Sequence, residues 1–123
     1  MIVDDQKDSG TLLERLLRYA GREAVSVTGG AEALAMLHIR KPSLMILDVN
    51  MPEMNGLTVL RRIKEHDGLK DVRVLMYSAE THPETMVEAK RLGAADFLIK
   101  GTVSCDKLVA RICELAGKPL TTG

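Results

Sequence analysis

The chain has almost no aromatic residues: no tryptophan, one phenylalanine (Phe97) and two tyrosines (Tyr19 and Tyr77) among 123 residues. Its core must therefore be built from aliphatic side chains and methionine, and no row of rings offers a stacking platform to unpaired bases. Charge of one sign is lacking too. With 17 basic and 17 acidic side chains, the electrostatic footprint of a direct nucleic-acid partner is missing. No apolar stretch approaches the 18 or so residues of a membrane span, and the first residues carry no basic segment ahead of an apolar core. These gaps argue against a membrane partner and for a cytoplasmic chain. Cys105 and Cys113 are the only cysteines. On one helix they would stand about 12 Å apart, too far for a disulfide, and their spacing is neither CxxC nor that of a zinc finger. His38, His66 and His82 fall on separate segments without an i, i+4 partner, and Gly29-Gly30 fits no GxGxxG or Walker pattern. Zinc chemistry and a glycine-rich phosphate cradle are set aside on those grounds.

What is present is an alternation of short apolar runs and amphipathic segments, at a length that suits one domain. We read that domain over residues 1–117, with 118–123 as a tail or the start of a linker. Met1-Ile2-Val3 is a strand stub ending in Asp4-Asp5; either the natural start lies upstream or the first strand is unusually brief. Ser9 is placed to cap a helix carrying Leu12, Leu13, Leu16, Leu17 and Ala20, closed by Gly21. Glu23 to Val27 reads as an edge-type strand. A helix from Ala31 follows, and Pro42 stops it. Leu44 to Leu47 is a buried strand, a helix runs from about Leu57 to His66, and Val72 to Tyr77 is the next strand. Pro83 suits the first position of a further helix, which Gly93 ends. Phe97 to Ile99 and a helix over Cys105 to Ala116 complete the series. Five strands alternating with five helices predict an α/β, doubly wound parallel sheet with helices on both faces.

The stretch Leu44-Met-Ile-Leu-Asp48-Val-Asn50-Met-Pro52-Glu-Met54-Asn-Gly56 organises this pattern. A buried strand delivers a carboxylate to its C-terminal end, where open α/β sheets place their ligands, and proline and glycine turn the chain at once. Taken alone, Asp48 reads more readily as a residue that caps the following turn, and the rest of the sequence reverses that reading. Other strand ends add Asp4 and Asp5, Ser78, and Lys100 on the same edge. Clustered carboxylates repel, so raised pKa values or a bound cation must resolve the repulsion. With oxygen ligands alone, Mg²⁺ is the cation of choice. A metal, a lysine, a hydroxyl and a nucleophilic carboxylate are what phosphoryl transfer requires. Met51 and Met54 should pack beneath this loop.

Along essentially its whole length the sequence resembles the receiver domains of two-component response regulators. The matching motifs are Val-Asp4-Asp5, Leu-Asp48-Val-Asn-Met-Pro-Glu-Met-Asn-Gly56, Tyr-Ser78-Ala and Phe-Leu-Ile-Lys100. The resemblance implies a flavodoxin-like five-stranded sheet of order 2-1-3-4-5. It implies that Asp48 accepts a phosphoryl group from a sensor histidine kinase or phosphotransfer protein. Asp5, Asp48 and the backbone carbonyl of Asn50 would hold Mg²⁺, with Asp4 acting through water, and Ser78 and Lys100 would bind the phosphoryl oxygens. Phe97 would be the aromatic that turns inward when Ser78 moves. Asn50 and Glu80 would tune hydrolysis, without a dedicated phosphatase. The face of the fourth helix, fifth strand and fifth helix would report phosphorylation and could pair two copies; Arg91, Asp96 and Lys107 lie there, and read more readily as ordinary solvated charge. Thr11, Arg15 and the Gly101-Thr102 loop would be the kinase-docking side.

Three departures from the family pattern are visible. Phe97 has no phenolic hydroxyl with which to bond outside. Lys100 is followed by Gly101 where the family commonly has a cis-proline; a non-proline cis bond costs about 2.5–4 kcal/mol, so a trans bond, a different loop path and a less rigid Lys100 are expected. The brief first strand should loosen the acid pair. These departures sustain an alternative, a receiver-like protein-binding module that is never phosphorylated. A Mg²⁺-dependent phosphohydrolase using Asp48 fits less well, because its general acid/base position, two residues on, is Asn50, whose amide cannot shuttle a proton. Apart from phosphoryl transfer onto itself and slow hydrolysis of that group, no enzyme activity is expected.

Overall fold

The computed structural model describes residues 1–117, so the tail read over 118–123 lies outside the described residues. The elements run β1 (Ile2–Val3), α1 (Lys7–Tyr19), β2 (Ser26–Val27), α2 (Gly30–Ile39), β3 (Leu44–Leu47), α3 (Gly56–Glu65), β4 (Arg73–Ser78), α4 (Pro83–Arg91), β5 (Asp96–Ile99) and α5 (Cys105–Ala116). The five strands form one parallel sheet in the order β2-β1-β3-β4-β5, as expected. No helix among the described residues is long and apolar enough to cross a membrane.

Alternation along the strands feeds two cores. Met45 and Leu47 of β3 and Val74 and Met76 of β4 pack with Ala33 and Leu37 of α2, Val59, Leu60 and Ile63 of α3, and Ala89 of α4. Leu44, Ile46 and Leu75 point to the other face, against Leu13 and Leu17 of α1 and Leu108 and Ile112 of α5. None of the buried core residues is aromatic, which agrees with the composition. Met51 is buried and Met54 packs against the first core, both beneath the loop after β3.

The first strand is as brief as the sequence suggests, yet it does not loosen its surroundings. Its pairing is prolonged beyond the strand proper: Ile2 N–H donates to Val25 O at 2.8 Å and Asp4 N–H to Val27 O at 3.1 Å on one side. On the other, Ile46 N–H donates to Met1 O at 2.8 Å and Asp48 N–H to Val3 O at 3.0 Å. Ile2 and Val3 are both buried, each contributing about 1.5–3 kcal/mol by leaving water. The expected loosening of Asp4 is therefore corrected by a backbone ladder on both flanks.

A second correction concerns the start of α1. Gln6, not Ser9, is the N-cap residue; Ser9 lies inside the helix and its hydroxyl donates to Gln6 Oε1 at 3.3 Å. The turn begun by Asp4, whose Oδ1 accepts from Gln6 N–H at 2.9 Å, starts the helix before Ser9 is reached. Pro83 occupies the first turn of α4, and Asn55 caps α3 by accepting from Leu57 N–H at 2.7 Å.

Gly56 is where the loop after β3 folds back on its own strand. A Cβ there would lie 2.0 Å from the Asp48 carbonyl oxygen, while Gly56 N–H donates to Val49 O at 2.8 Å. Only a residue without a side chain admits this approach. Gly56→Ala is expected to lower stability by about 2–3 kcal/mol through forced displacement of the β3 end, read as a reduced urea midpoint with an unchanged m-value.

Candidate functional site

Each strand end contributes as its register dictates. Pairing of Val3 with Leu47 puts the following residues, Asp4 and Asp48, side by side. Both are buried, whereas Asp5, one pleat step on, faces solvent. Pairing of Ser78 with Ile99 brings Lys100 just beyond them, with Lys100 N–H donating to Ser78 O at 2.8 Å. The Lys100 ammonium lies 2.6 Å from Asp4 Oδ2 and 3.2 Å from Asp48 Oδ2. Asp4, Asp5 and Asp48 each offer an oxygen within 4.8 Å of the others. The structure thus gathers all four charged residues expected at this edge.

Carboxylate repulsion is met partly by Lys100. Burial opposes its charge, but the hydrogen bond to Asp4, the charges of Asp48 and Asp4, and the hydrogen bond to Asp48 outweigh that, holding its pKa above the ordinary lysine value. The free oxygens are already aimed: Asp4 Oδ1 takes Gln6 N–H, and Asp48 Oδ1 accepts from Asn50 N–H at 3.3 Å. Three hard oxygen donors around a partly open space suit a magnesium-sized cation, which keeps several waters and few carboxylates. Ser78 is fully buried, and its Oγ accepts from Glu80 N–H at 3.2 Å. Phe97 is half-buried against the α2–α4 core. Asn50 is exposed and Glu80 half-buried at the mouth of the site.

The bond between Lys100 and Gly101 is trans, as expected. There is no cis peptide among the described residues, and Gly101 has φ +87°. Thr102 N–H and Oγ1–H both donate to Ile99 O, at 3.1 and 2.7 Å, so Lys100 and Gly101 form the corner of a tight turn that needs positive φ at its third residue. Glycine meets that need. Proline, locked near −65°, does not. Gly101→Pro is therefore expected to destabilise the fold by more than about 1 kcal/mol, seen as a lower midpoint in thermal unfolding, although it recreates the lysine-proline pair common in such sequences.

Sequence reasoning missed two features here. His82, set aside as isolated, caps α4 and pairs with Glu80: its N–H donates to Glu80 Oε1 at 3.0 Å, and its ring Nδ1 contacts the same oxygen. His38 and His66, though distant in sequence, meet edge to face with ring centroids 5.2 Å apart. The i, i+2 spacing of Glu80 and His82 ahead of Pro83 was the available signal for the first; nothing local signalled the second. The backbone bond from His82, then its ring, lowers the Glu80 pKa, and Glu80 raises that of His82. The Glu80 contribution is thus present above the ordinary carboxylate range and lost as pH falls through its lowered pKa. That of His82 is complete below about pH 6.5 and lost as pH rises through its raised value. The charged pair occupies the window between them. Glu80→Gln should return the His82 titration, followed by NMR of its ring protons, toward lower pH.

The comparisons with known proteins agree with this geometry. The family model for the response regulator receiver domain matches residues 1–113. This chain belongs to that family. It is 37% identical over 115 residues to the transcriptional regulatory protein PrrA of Mycobacterium tuberculosis, a match covering 94% of this chain and 48% of PrrA. The chain thus spans about half the length of that curated relative. Among solved structures it resembles the Vibrio cholerae chemotaxis protein CheY4 (TM-score 0.85, 30% identity, 93% of this chain and 94% of that one). It also resembles the Mn²⁺-bound form of the response regulator Rcp1 (TM-score 0.79, 25% identity, 90% and 88% covered). Receiver domains are signalling domains of two-component systems that accept phosphoryl groups from histidine kinases or phosphotransfer proteins.

Proposed function

We propose that this chain is a working phosphoacceptor: Asp48 takes a phosphoryl group from a phosphohistidine of a sensor kinase or phosphotransfer protein, in a reaction that requires Mg²⁺. The observation that carries this reading is the Asp48 carboxylate, buried at its strand end and 3.2 Å from the Lys100 ammonium, beside Asp4 and Asp5. An Asp48 oxygen attacks phosphorus while the nitrogen–phosphorus bond breaks, its electron pair returning to the imidazole ring. Asp5, Asp48 and the Asn50 carbonyl would hold the cation, with Asp4 reaching it through water. When bound, Mg²⁺ supplies charge neutralisation between the carboxylates and the incoming phosphoryl oxygens.

Lys100 then exchanges one anion for another. Its ammonium keeps Asp4 and transfers its second contact from Asp48 to a phosphoryl oxygen. Ser78 donates the other hydrogen bond; its Oγ already accepts from Glu80 N–H, which leaves the hydroxyl proton free to point at the phosphoryl group. Movement of Ser78 opens room for Phe97, carrying the signal to α4, β5 and α5. That face would also pair two copies, with Asp96 and Arg111, ion-paired at 2.9 Å within one chain, among its charges. Asn50 and Glu80 flank the path of a hydrolytic water. A kinase that draws on ATP places the chain in the cytoplasm, and no direct nucleic-acid contact is assigned to this segment.

Intact mass after incubation with acetyl phosphate and Mg²⁺ tests the reading. A phosphoryl adduct is expected that depends on Mg²⁺ and disappears in Asp48→Asn. A folded chain that takes up no phosphoryl group would instead support the unphosphorylated binding module.

A further inference from the structure

We infer that Tyr77 is a positioning residue for Lys100, its ring forming one wall of the pocket that aims the ammonium at Asp48. The inference rests on the phosphoacceptor reading above and adds to it a residue outside the acid, hydroxyl and lysine set.

Sheet geometry brings the two together. Tyr77 of β4 pairs with Leu98 of β5, so Lys100, two residues further along, is its diagonal neighbour on the same face. Here the Lys100 Nζ stands over the Tyr77 ring, 5.7 Å from its centroid. The ring is itself held, packed with Leu98 and Val103 against the α1–α5 core. Lys100 retains 20% of its side-chain exposure, so it meets the electron-rich ring face partly stripped of water, where such contacts are strongest.

The contact has a task because of the turn that follows. Lys100 occupies the corner of a tight turn before a glycine at φ +87°, with no proline ring to stiffen its backbone. Its four-carbon stem could otherwise swing toward solvent while its second contact passes from Asp48 to a phosphoryl oxygen. Asp4 holds the ammonium from one side at 2.6 Å, and Tyr77 closes another. The ring face, not the phenolic hydroxyl, does this, so phenylalanine should substitute and an aliphatic residue should not.

The test compares the unsubstituted chain with Tyr77→Phe and Tyr77→Leu, using acetyl phosphate and saturating Mg²⁺. Tyr77→Leu should slow phosphoryl uptake roughly three- to tenfold, and Tyr77→Phe should restore it. In chains carrying ¹³C-labelled lysine, the Lys100 ε-CH₂ protons should show an upfield ring-current shift that survives in Tyr77→Phe and vanishes in Tyr77→Leu. General loosening of the fold would not reproduce that pairing of signals. If Tyr77→Leu does not fold, Tyr77→Met keeps the bulk without the π face and replaces it. Uptake at equal rates in all chains, or equal loss in the phenylalanine and aliphatic variants, would overturn the role of Tyr77. No uptake by the unsubstituted chain would instead overturn the phosphoacceptor reading.

Discussion

The molecule depends on the parallel register that holds β1 between β2 and β3. Residues Met1 to Asp4 fix it: Ile2 and Asp4 N–H donate to Val25 and Val27 O on one flank, and Met1 and Val3 O accept from Ile46 and Asp48 N–H on the other. Because side chains alternate strictly along a strand, a slip of one residue would carry Asp4 to the opposite face of the sheet and separate it from Asp48. The same register sets which residues of β3 and β4 enter each core. Packing and site geometry are thus decided by one set of backbone bonds, and the burial of Ile2 and Val3 helps hold it.

Around that frame the charges are arranged with one cation for three acids. Lys100 is close enough to Asp4 and Asp48 to satisfy both, and Asp5 is left exposed. Such a cluster has the oxygen donors that a hard divalent cation takes, and its repulsion is relieved only in part by Lys100. The loops bordering the cradle are backbone-limited. Gly56 lets the chain pass against the Asp48 carbonyl, Gly101 turns the corner after Lys100, and Glu53 holds φ +67°, a conformation that costs a side-chain-bearing residue about 1–2 kcal/mol.

Much of this was legible in the residues. The apolar runs and their punctuation by Gly21, Pro42, Pro83 and Gly93 marked every element, and the polar groups at strand ends marked the site. What escaped was whatever depended on contacts across the sheet. Ser9 has the chemistry of a cap, but the Asp4 turn begins the helix earlier, at Gln6. A two-residue strand looks weak until its neighbours' bonds are counted. His38 and His66 are unrelated in sequence and touch in space.

By itself the sequence determined the class of fold, the order of elements and which polar residues stand at the carboxyl edge of the sheet, because hydrophobic period and turn chemistry are local properties. Only the tertiary structure decided that Lys100 bridges Asp4 and Asp48, that Tyr77 lies beneath its ammonium, and that Glu80 is tied to His82. Those contacts are set by strand register and loop path, to which short-range patterns carry little signal.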